Sequence, residues 1–278
     1  MKKINLFSLA VAGMLALCVF GCQKKDSATS ASTNQDGISA TTKSQITSLG
    51  FSTENARKVD GGYLVEGDIL LSEANLSEKA ESKHLSVAET EQYRTTNLVK
   101  ALPRVITISV SNLPTVYSDA VNAMITRYNN LGLRFTFQRA AAGTTGQIDV
   151  IGFNEGPSGG YITLGSSGFP TASGNPYSQI KMNTNPAAYG ANPNLLYLTS
   201  VLQHEVGHCI GFRHTDYSNR AYSCGGTAVN EGASNVGAVL IPGTPSGPDA
   251  ASFMLACSNG GDRTFNANDV KAINYLYK

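Results

Sequence analysis

The stretch His204–His214 reads HEVGHCIGFRH and holds three of the four histidines in this 278-residue chain. On a helix, positions i and i+4 share a face, so His204 and His208 can direct their imidazoles at one metal ion. Gly211 can end the helix and reverse the chain, because glycine readily adopts positive φ, and the reversal brings His214 to the same ion. This spacing predicts a zinc site with one position left open for water.

Glu205 follows the first of these histidines and is the candidate general base. A zinc ion held by three imidazoles lowers the pKa of a bound water towards about 7, polarises a carbonyl and stabilises an oxyanion. A carboxylate within reach can take the proton of that water and pass it to a leaving amine. The pattern therefore predicts peptide-bond hydrolysis with one catalytic zinc ion. The plainer alternative, helix-face histidines with ordinary polar partners, suits HExxH alone better than the full pattern.

The full pattern resembles that of the metzincin clan of zinc endopeptidases, in which HExxHxxGxxH is followed by a turn that contains methionine. Met254 follows Ser252 and Phe253 downstream of the third histidine. The resemblance implies that Met254 lies beneath the zinc site and supports it without binding the metal. Ala256 stands where astacin-like and serralysin-like members carry an additional metal-contacting tyrosine, so that ligand is not expected here.

Within this clan the chain is similar to the bacterial dual-action HEIGH metallopeptidases. The similarity lies in HEVGHCIGFRHTD at residues 204–216, in IPGTP at residues 241–245 and in the ending at residues 265–277. Val206 replaces the isoleucine of the family's name. Asp216 is a candidate acceptor of a hydrogen bond from a ligand histidine or from backbone, and a solvated loop aspartate is the alternative.

The periodicity from Pro103 onward predicts a strand, a helix, four further strands, a helix over about residues 195–210 and a last helix with Asn266 as its N-cap. The clan has the same order. The resemblance therefore implies an α+β fold: a twisted, mostly parallel five-stranded sheet with an antiparallel edge strand, an active-site helix, the Met-turn and a C-terminal helix. Residues 161–164 are the candidate edge strand. An extended peptide or unfolded protein is expected to bind antiparallel to it.

The first 22 residues are typical of an export signal, with Lys2 and Lys3 before an apolar run that is too short for an ordinary membrane span. The sequence around Cys22, VFGC, resembles a bacterial lipobox, which implies that Cys22 is acylated and anchors the mature chain to a membrane. Secretion without lipid is the alternative.

The predicted organisation has four parts: a signal peptide at residues 1–22, a flexible tether at 23–45, a propeptide at 46–102 and the catalytic domain at 103–278. The tether is rich in Ser, Thr, Ala and Lys and has almost no large apolar side chain. The predicted location is the bacterial cell envelope, from which cleavage would release the catalytic domain to the extracellular space.

Five cysteines are present, of which Cys18 lies in the signal and Cys22 is the lipidation candidate. Export permits a disulfide. The pair Cys224 and Cys257 is favoured, while the sequence leaves the pairings with Cys209 open.

The formal net charge of +1 gives no electrostatic footprint for nucleic-acid binding. Structural calcium has no support, because Asp149, Glu155, Asp249 and Asp262 match no EF-hand or repeat pattern, although Gly-rich loops offer carbonyl ligands. The sequence indicates no oligomeric state.

Residues 65–69 read VEGDI and resemble the FEGD-like segment of astacin propeptides. The resemblance implies that the carboxylate of Asp68 takes the fourth position on zinc and keeps the precursor latent. Gly67 permits the close approach of the backbone. A strand and turn of a small accessory domain is the alternative.

Activation by another protease is expected between about Arg94 and Arg104, where residues 93–97 and Lys100 are predicted to be exposed. Two other classes of function stay open: a catalytically silent surface-binding lipoprotein with the same fold, and a zinc hydrolase of a non-peptide amide or cell-wall cross-link. The intact Glu205 and the three histidines argue against the first. Internal cleavage of unfolded proteins would exclude the second.

Overall fold

The computed structural model describes residues 37–77, 92–158, 160–228, 230–231, 238–245 and 247–278. The predicted signal, the lipidation candidate Cys22 and His84 lie outside the described residues. The elements follow in the order α1 (Ala40–Ser48), β1 (Arg57–Val59), β2 (Gly62–Val65), β3 (Ile69–Leu71), α2 (Glu73–Ser77), β4 (Tyr93–Arg94), β5 (Arg104–Ser111), α3 (Thr115–Asn129), β6 (Phe135–Arg139), β7 (Ile148–Phe153), β8 (Gly165–Ser166), β9 (Gln179–Asn183), α4 (Pro186–Tyr189), α5 (Leu195–Cys209), α6 (Ala221–Cys224), β10 (Val239–Leu240) and α7 (Ala267–Tyr277).

Five strands form the larger sheet, in the order β6-β5-β7-β9-β8. Strand β5 pairs in parallel with β6 and β7, and β7 pairs in parallel with β9. Strand β8 runs antiparallel to β9 and forms the edge of the sheet. The expected α+β fold with a mostly parallel five-stranded sheet and an antiparallel edge strand is therefore confirmed.

The main hydrophobic core joins this sheet to helices α3 and α5. Helix α3 buries Val121, Met124 and Tyr128, which recur at helical spacing. Each large apolar side chain that leaves water in this way contributes about 1.5–3 kcal/mol. The hydroxyl of Tyr128 donates a hydrogen bond of 2.8 Å to the carbonyl oxygen of Gln203, so α3 fixes the position of α5 as well as covering it.

The edge strand differs from the prediction, because residues 161–164 form no strand and β8 follows them. Two of their carbonyl groups accept from side chains: the amide of Asn183 donates to Thr163 at 2.8 Å, and the hydroxyl of Tyr189 donates to Leu164 at 2.9 Å. The carbonyl oxygen of Leu164 also accepts from the backbone N–H of Asn183 at 2.8 Å, so the pairing with β9 begins only at the end of this segment. Tyr161 is 55% exposed.

Residues 37–77, called the N-terminal part below, have a core of their own. Strands β1, β2 and β3 form an antiparallel sheet in that order, and its core includes Ile46 of α1 and Leu76 of α2. Ser39 caps α1 through its side chain. The tether predicted for residues 23–45 is therefore wrong over the residues of α1, since the cap and the buried Ile46 stabilise a helix there.

Residues 92–102 pack against the catalytic part, although they were expected to end the propeptide. Strand β4 pairs with β10, and the side-chain amide of Gln92 donates to a carboxylate oxygen of Asp269 at 2.7 Å. Tyr93 and Thr95 are each 1% exposed, so the predicted exposure is wrong for these two residues, whereas Thr96 and Lys100 are exposed. A cut that frees the N-terminal part and leaves β4 in place has to lie before Gln92.

Helix α7 begins as predicted. Asn266 is its N-cap, and a capping box links the side chain of Asn266 with that of Asp269. No helix in the described part of the chain is long and apolar enough to span a membrane.

Candidate metal centre

Helix α5 carries the first two histidines of the centre. The side chain of Asn194 accepts hydrogen bonds from the first-turn backbone N–H groups and so fixes where the helix begins. Every residue from Leu198 to Cys209 is buried, which holds this part of the helix against the core. His204 and His208 lie one turn apart on one face.

Gly211 turns the chain after α5. Its φ is +108°, and an added Cβ would lie 2.8 Å from Cδ2 of Leu98 and 3.1 Å from the carbonyl oxygen of Asn97. Both the backbone conformation and the close packing therefore require glycine. The turn directs the following residues back over the helix end and brings His214 to the other two histidines.

The three imidazoles converge on one point. Nε2 of His208 lies 3.1 Å from Nε2 of His204 and 3.2 Å from Nε2 of His214. Nitrogen ligands about 2.0–2.1 Å from a tetrahedral zinc ion lie about 3.3–3.4 Å apart. The observed spacing is thus close to that of three ligands of a single ion.

The second nitrogen of each ring has an acceptor. Nδ1 of His204 lies 2.9 Å from the carbonyl oxygen of Phe253, and Nδ1 of His208 lies 2.8 Å from that of Phe212. Nδ1 of His214 lies 3.1 Å from both carboxylate oxygens of Glu231. Because these oxygens only accept, each Nδ1 carries a proton and donates it, so each ring in its neutral, metal-binding form has its lone pair on Nε2.

Three lone pairs directed at one another repel unless a cation lies among them, so the residues present fit a zinc ion. Burial, together with the charges of His204 and His214, lowers the pKa of His208 well below its ordinary value, and the ring is therefore neutral, as a ligand must be. Burial opposes a charge on His214 too, but the carboxylates of Asp68 and Glu231 raise the pKa of His214. Both carboxylates thus favour positive charge at this centre.

Asp68 of the N-terminal part enters the centre. Its Oδ2 lies 3.2 Å from Nε2 of His214 and 3.3 Å from Nε2 of His204, so it completes the set of atoms that surround the position of an ion. Its other oxygen, Oδ1, is buried and has no hydrogen-bond partner among the described residues. Burial would raise the pKa of Asp68, but the three imidazoles outweigh it and hold this pKa well below its ordinary value.

Glu205 lies beside the imidazoles and is 1% exposed. Its Oε2 accepts a hydrogen bond of 2.7 Å from the hydroxyl of Ser167, which follows the edge strand. An added Cβ on Gly165 would lie 2.8 Å from Oε1, so glycine in β8 leaves the space for this carboxylate. Burial, and next the charge of Asp68, raise the pKa of Glu205 well above its ordinary value.

Met254 lies against the active-site helix. An added Cβ on Gly207 would lie 2.5 Å from Sδ of Met254 and 2.9 Å from the ring of Phe253. Met254 is fully buried, and its carbonyl oxygen accepts from the N–H of Thr215 at 2.9 Å. The turn therefore contacts both chain segments that carry the histidines.

Asp269 of α7 holds this turn from the other side. Its carboxylate accepts from the backbone N–H of Phe253 at 3.2 Å and from the hydroxyl of Ser252 at 3.0 Å. Burial raises the pKa of Asp269 to about 6. Asp269, which forms the capping box with the N-cap Asn266, thus also holds the residue whose carbonyl group orients His204.

Asp216 has no contact with the three histidines among its described hydrogen bonds. It accepts from the backbone N–H of Ala256 at 2.9 Å and from the hydroxyl of Ser223 at 2.6 Å. The neighbouring Cys224 forms a disulfide with Cys257, and Cys209 is a buried free thiol. Asp216 therefore accepts a hydrogen bond from backbone and not from a ligand histidine in the described bonds. Its carboxylate joins the segment after Met254 to the loop after the third histidine.

Several charged residues of the centre were missed by the sequence analysis. Glu231 orients His214 from a loop, and Arg213 donates to both oxygens of Glu66, at 2.8 and 3.0 Å. Arg213 stands inside the quoted motif and Glu66 inside the VEGDI segment, so both were visible as unexplained charges. No sequence motif identifies Glu231, which is 17 residues after His214 and lies outside the described helices and strands.

The four carboxylates considered for calcium each have protein partners of their own. Asp149 accepts from the hydroxyls of two serines of β5, Glu155 pairs with Arg57, and Asp262 pairs with Arg127. Asp249 accepts from the side chains of two asparagines near the start of α7. Among the described residues, both groups with the composition of a metal site include His214.

The mixed α+β fold and the three-histidine centre define the class of zinc metalloproteases, with one catalytic zinc ion. The chain belongs to the dual-action HEIGH metallo-peptidase family, whose model matches residues 63–277. The family expected from the sequence is therefore confirmed. A comparison with curated proteins gives no match.

Solved structures with a similar fold include two of myroilysin. They have TM-scores of 0.40 and 0.42 and sequence identities of 15% and 17%; the alignments cover 66% of this chain and 86% and 97% of theirs. High choriolytic enzyme 1, a hatching enzyme zinc-protease from the medaka fish Oryzias latipes, has a TM-score of 0.36 and 14% identity over 70% of this chain and 98% of its own.

The hydrogen bond between Glu231 and His214 predicts that Glu231→Ala weakens zinc binding. Loss of the acceptor frees the ring to rotate, and such changes typically cost about 10–100-fold in metal affinity. Competition with a chelator measures the zinc affinity of the full chain. Glu54→Ala, at an exposed carboxylate of the N-terminal part, is the matched control; equal affinities for the two variants would contradict the role of Glu231.

Proposed function

We propose that the chain is a zinc-dependent endopeptidase that is made as a latent, exported lipoprotein precursor. The observation that carries the proposal is the carboxylate of Asp68 among three convergent imidazole nitrogens. His204, His208 and His214 hold the ion through Nε2. When bound, zinc supplies a Lewis acid that acidifies water and polarises a carbonyl group.

Glu205 is the proposed general base. Its carboxylate adjoins the ligand set, and the hydroxyl of Ser167 holds one of its oxygens at 2.7 Å. In the active form Glu205 would take a proton from the attacking water and deliver it to the nitrogen of the leaving amine. The residues of the Met-turn support this arrangement, because the carbonyl of Phe253 fixes the ring of His204.

Latency follows from how the N-terminal part lies along the edge of the sheet. Leu70 N–H donates to the carbonyl of Ser167 at 2.6 Å, and Ser167 N–H donates to the carbonyl of Asp68 at 2.9 Å. This bridge is parallel, whereas a substrate is proposed to run antiparallel to the edge. The segment therefore occupies the cleft but presents a side-chain carboxylate, and not a peptide carbonyl, to the centre.

Glu205→Gln should abolish turnover without removing zinc. An amide keeps the shape of the side chain but cannot accept the proton, and loss of a general base typically costs about 10²–10⁴-fold in rate. The measurement is cleavage of an unfolded protein together with zinc content, in a chain that also carries Asp68→Ala. Glu54→Gln at an exposed site is the control. Full activity of the Glu205→Gln chain would exclude Glu205 as the base.

Asp68→Ala should convert the full chain from a silent to an active protease, because it removes the carboxylate from the fourth position. Asp60→Ala is the matched control, since Asp60 lies in the same N-terminal part with an exposed side chain. Cleavage of an unfolded protein is measured for both variants before any processing. An active unchanged chain, or an Asp68→Ala chain that binds zinc and stays silent, would contradict the aspartate switch.

Lipidation at Cys22 is proposed from the sequence alone, since the residue lies outside the described part of the chain. A bacterial host fed a labelled fatty acid should incorporate label into the full chain, and Cys22→Ser should abolish it. The label should be unaffected by Cys209→Ser, which changes a buried thiol. Unlabelled protein that is nevertheless exported would indicate ordinary secretion.

A further inference from the structure

Beside the zinc centre, the side chain of Glu66 fills a site built around Arg213. Both side chains are completely buried, and the two carboxylate oxygens accept from Nη2 of Arg213 at 2.8 and 3.0 Å. Glu66 precedes Asp68 by two residues, and Arg213 precedes the ligand His214. Both residues of the pair are therefore close in sequence to a residue of the centre where peptide cleavage is proposed.

Arg213 is enclosed by aromatic residues from both the N-terminal part and the catalytic part. The ring of Phe51, from the N-terminal part, lies 5.0 Å from its guanidinium carbon, and the ring of Tyr217, from the catalytic part, lies 5.7 Å away. When the N-terminal part leaves, Phe51 and Glu66 leave with it. Arg213 then faces the open cleft, with Tyr217 still against its guanidinium.

A second cation faces the same segment. A guanidinium nitrogen of Arg220 donates to the carbonyl oxygen of Glu66, and another lies 2.5 Å from where a Cβ on Gly67 would be. Glu231 is the carboxylate of the catalytic part at this place; it lies 3.7 Å from Arg220 and holds His214. Among the described residues of the catalytic part, the charged groups at this place are therefore two guanidinium groups and one carboxylate, which suits an anionic group in the position of Glu66.

Burying an ion pair is costly, and apolar side chains would fill the same space at least as favourably. A buried Arg–carboxylate pair instead supplies selectivity, because its geometry and charge reject neutral and basic groups. We propose that Arg213, assisted by Arg220, selects substrates with a glutamate or aspartate side chain within two residues of the cleaved bond. Glu66 occupies the place of that side chain in the precursor.

This inference rests on the proposed endopeptidase function and names its substrate class. The test uses the full chain with Glu66→Ala and Asp68→Ala, which removes both carboxylates from the cleft. Cut sites in a reduced, unfolded protein are mapped by mass spectrometry. Glu and Asp should be enriched at one of the four positions nearest the cut, and a peptide with Glu there should have kcat/KM about tenfold above its Gln counterpart.

Arg213→Gln in the same background should bring that ratio close to one, while Arg139→Gln, which removes an exposed arginine on β6, should leave it unchanged. If Arg213→Gln fails to fold or loses zinc, the cut-site map of the Arg213 chain decides alone. Cleavage without enrichment of acidic residues would overturn the selectivity and leave the endopeptidase standing. Bound zinc without any cleavage would overturn the endopeptidase, and the selectivity with it.

Discussion

The convergence of three imidazole lone pairs in a buried site is the constraint on which the rest of the structure depends. His204, His208 and His214 place acceptor nitrogens 3.1–3.2 Å apart, an arrangement that is unfavourable without a cation. Each ring must therefore be held by its other nitrogen. The acceptors that hold them come from the turn after α5, from the Met-turn and from the loop at Glu231, which explains why distant segments all end at this centre.

The centre also explains why small residues stand where they do. Gly207 lets the Met-turn approach the active-site helix, and Gly165 leaves space for the carboxylate of Glu205. Gly211 supplies a backbone conformation that other residues rarely adopt. A side chain at Gly207 would displace the Met-turn, and one at Gly165 would displace the carboxylate of Glu205. The spacing of glycines in the motif thus reflects packing around the ion as much as helix geometry.

The sequence predicted best what depends on local spacing. The ligand set follows from positions four and six residues apart on a helix and its terminating turn, and the order of strands follows from periodicity. Predictions failed where contacts distant in sequence decide the outcome. The carbonyl groups of Thr163 and Leu164 accept from Asn183 and Tyr189, and Tyr93 is buried where β10 pairs with β4. Neither partner is visible in the local pattern.

The charges of the centre link its two halves. Asp68 and Glu66 come from the N-terminal part, whereas Arg213, Arg220 and the zinc ligands belong to the catalytic part. In the proposed activation, Asp68 and Glu66 leave a site in which Arg213, Arg220, Glu231 and the zinc ligands stay. Because the guanidinium group of Arg213 is buried against the carboxylate of Glu66, we propose that the vacated cleft favours a chain that brings an anionic group to the same place. In the proposed precursor the carboxylates of Asp68 and Glu66 face these positive groups, and in the proposed active form the same groups would attract an acidic substrate.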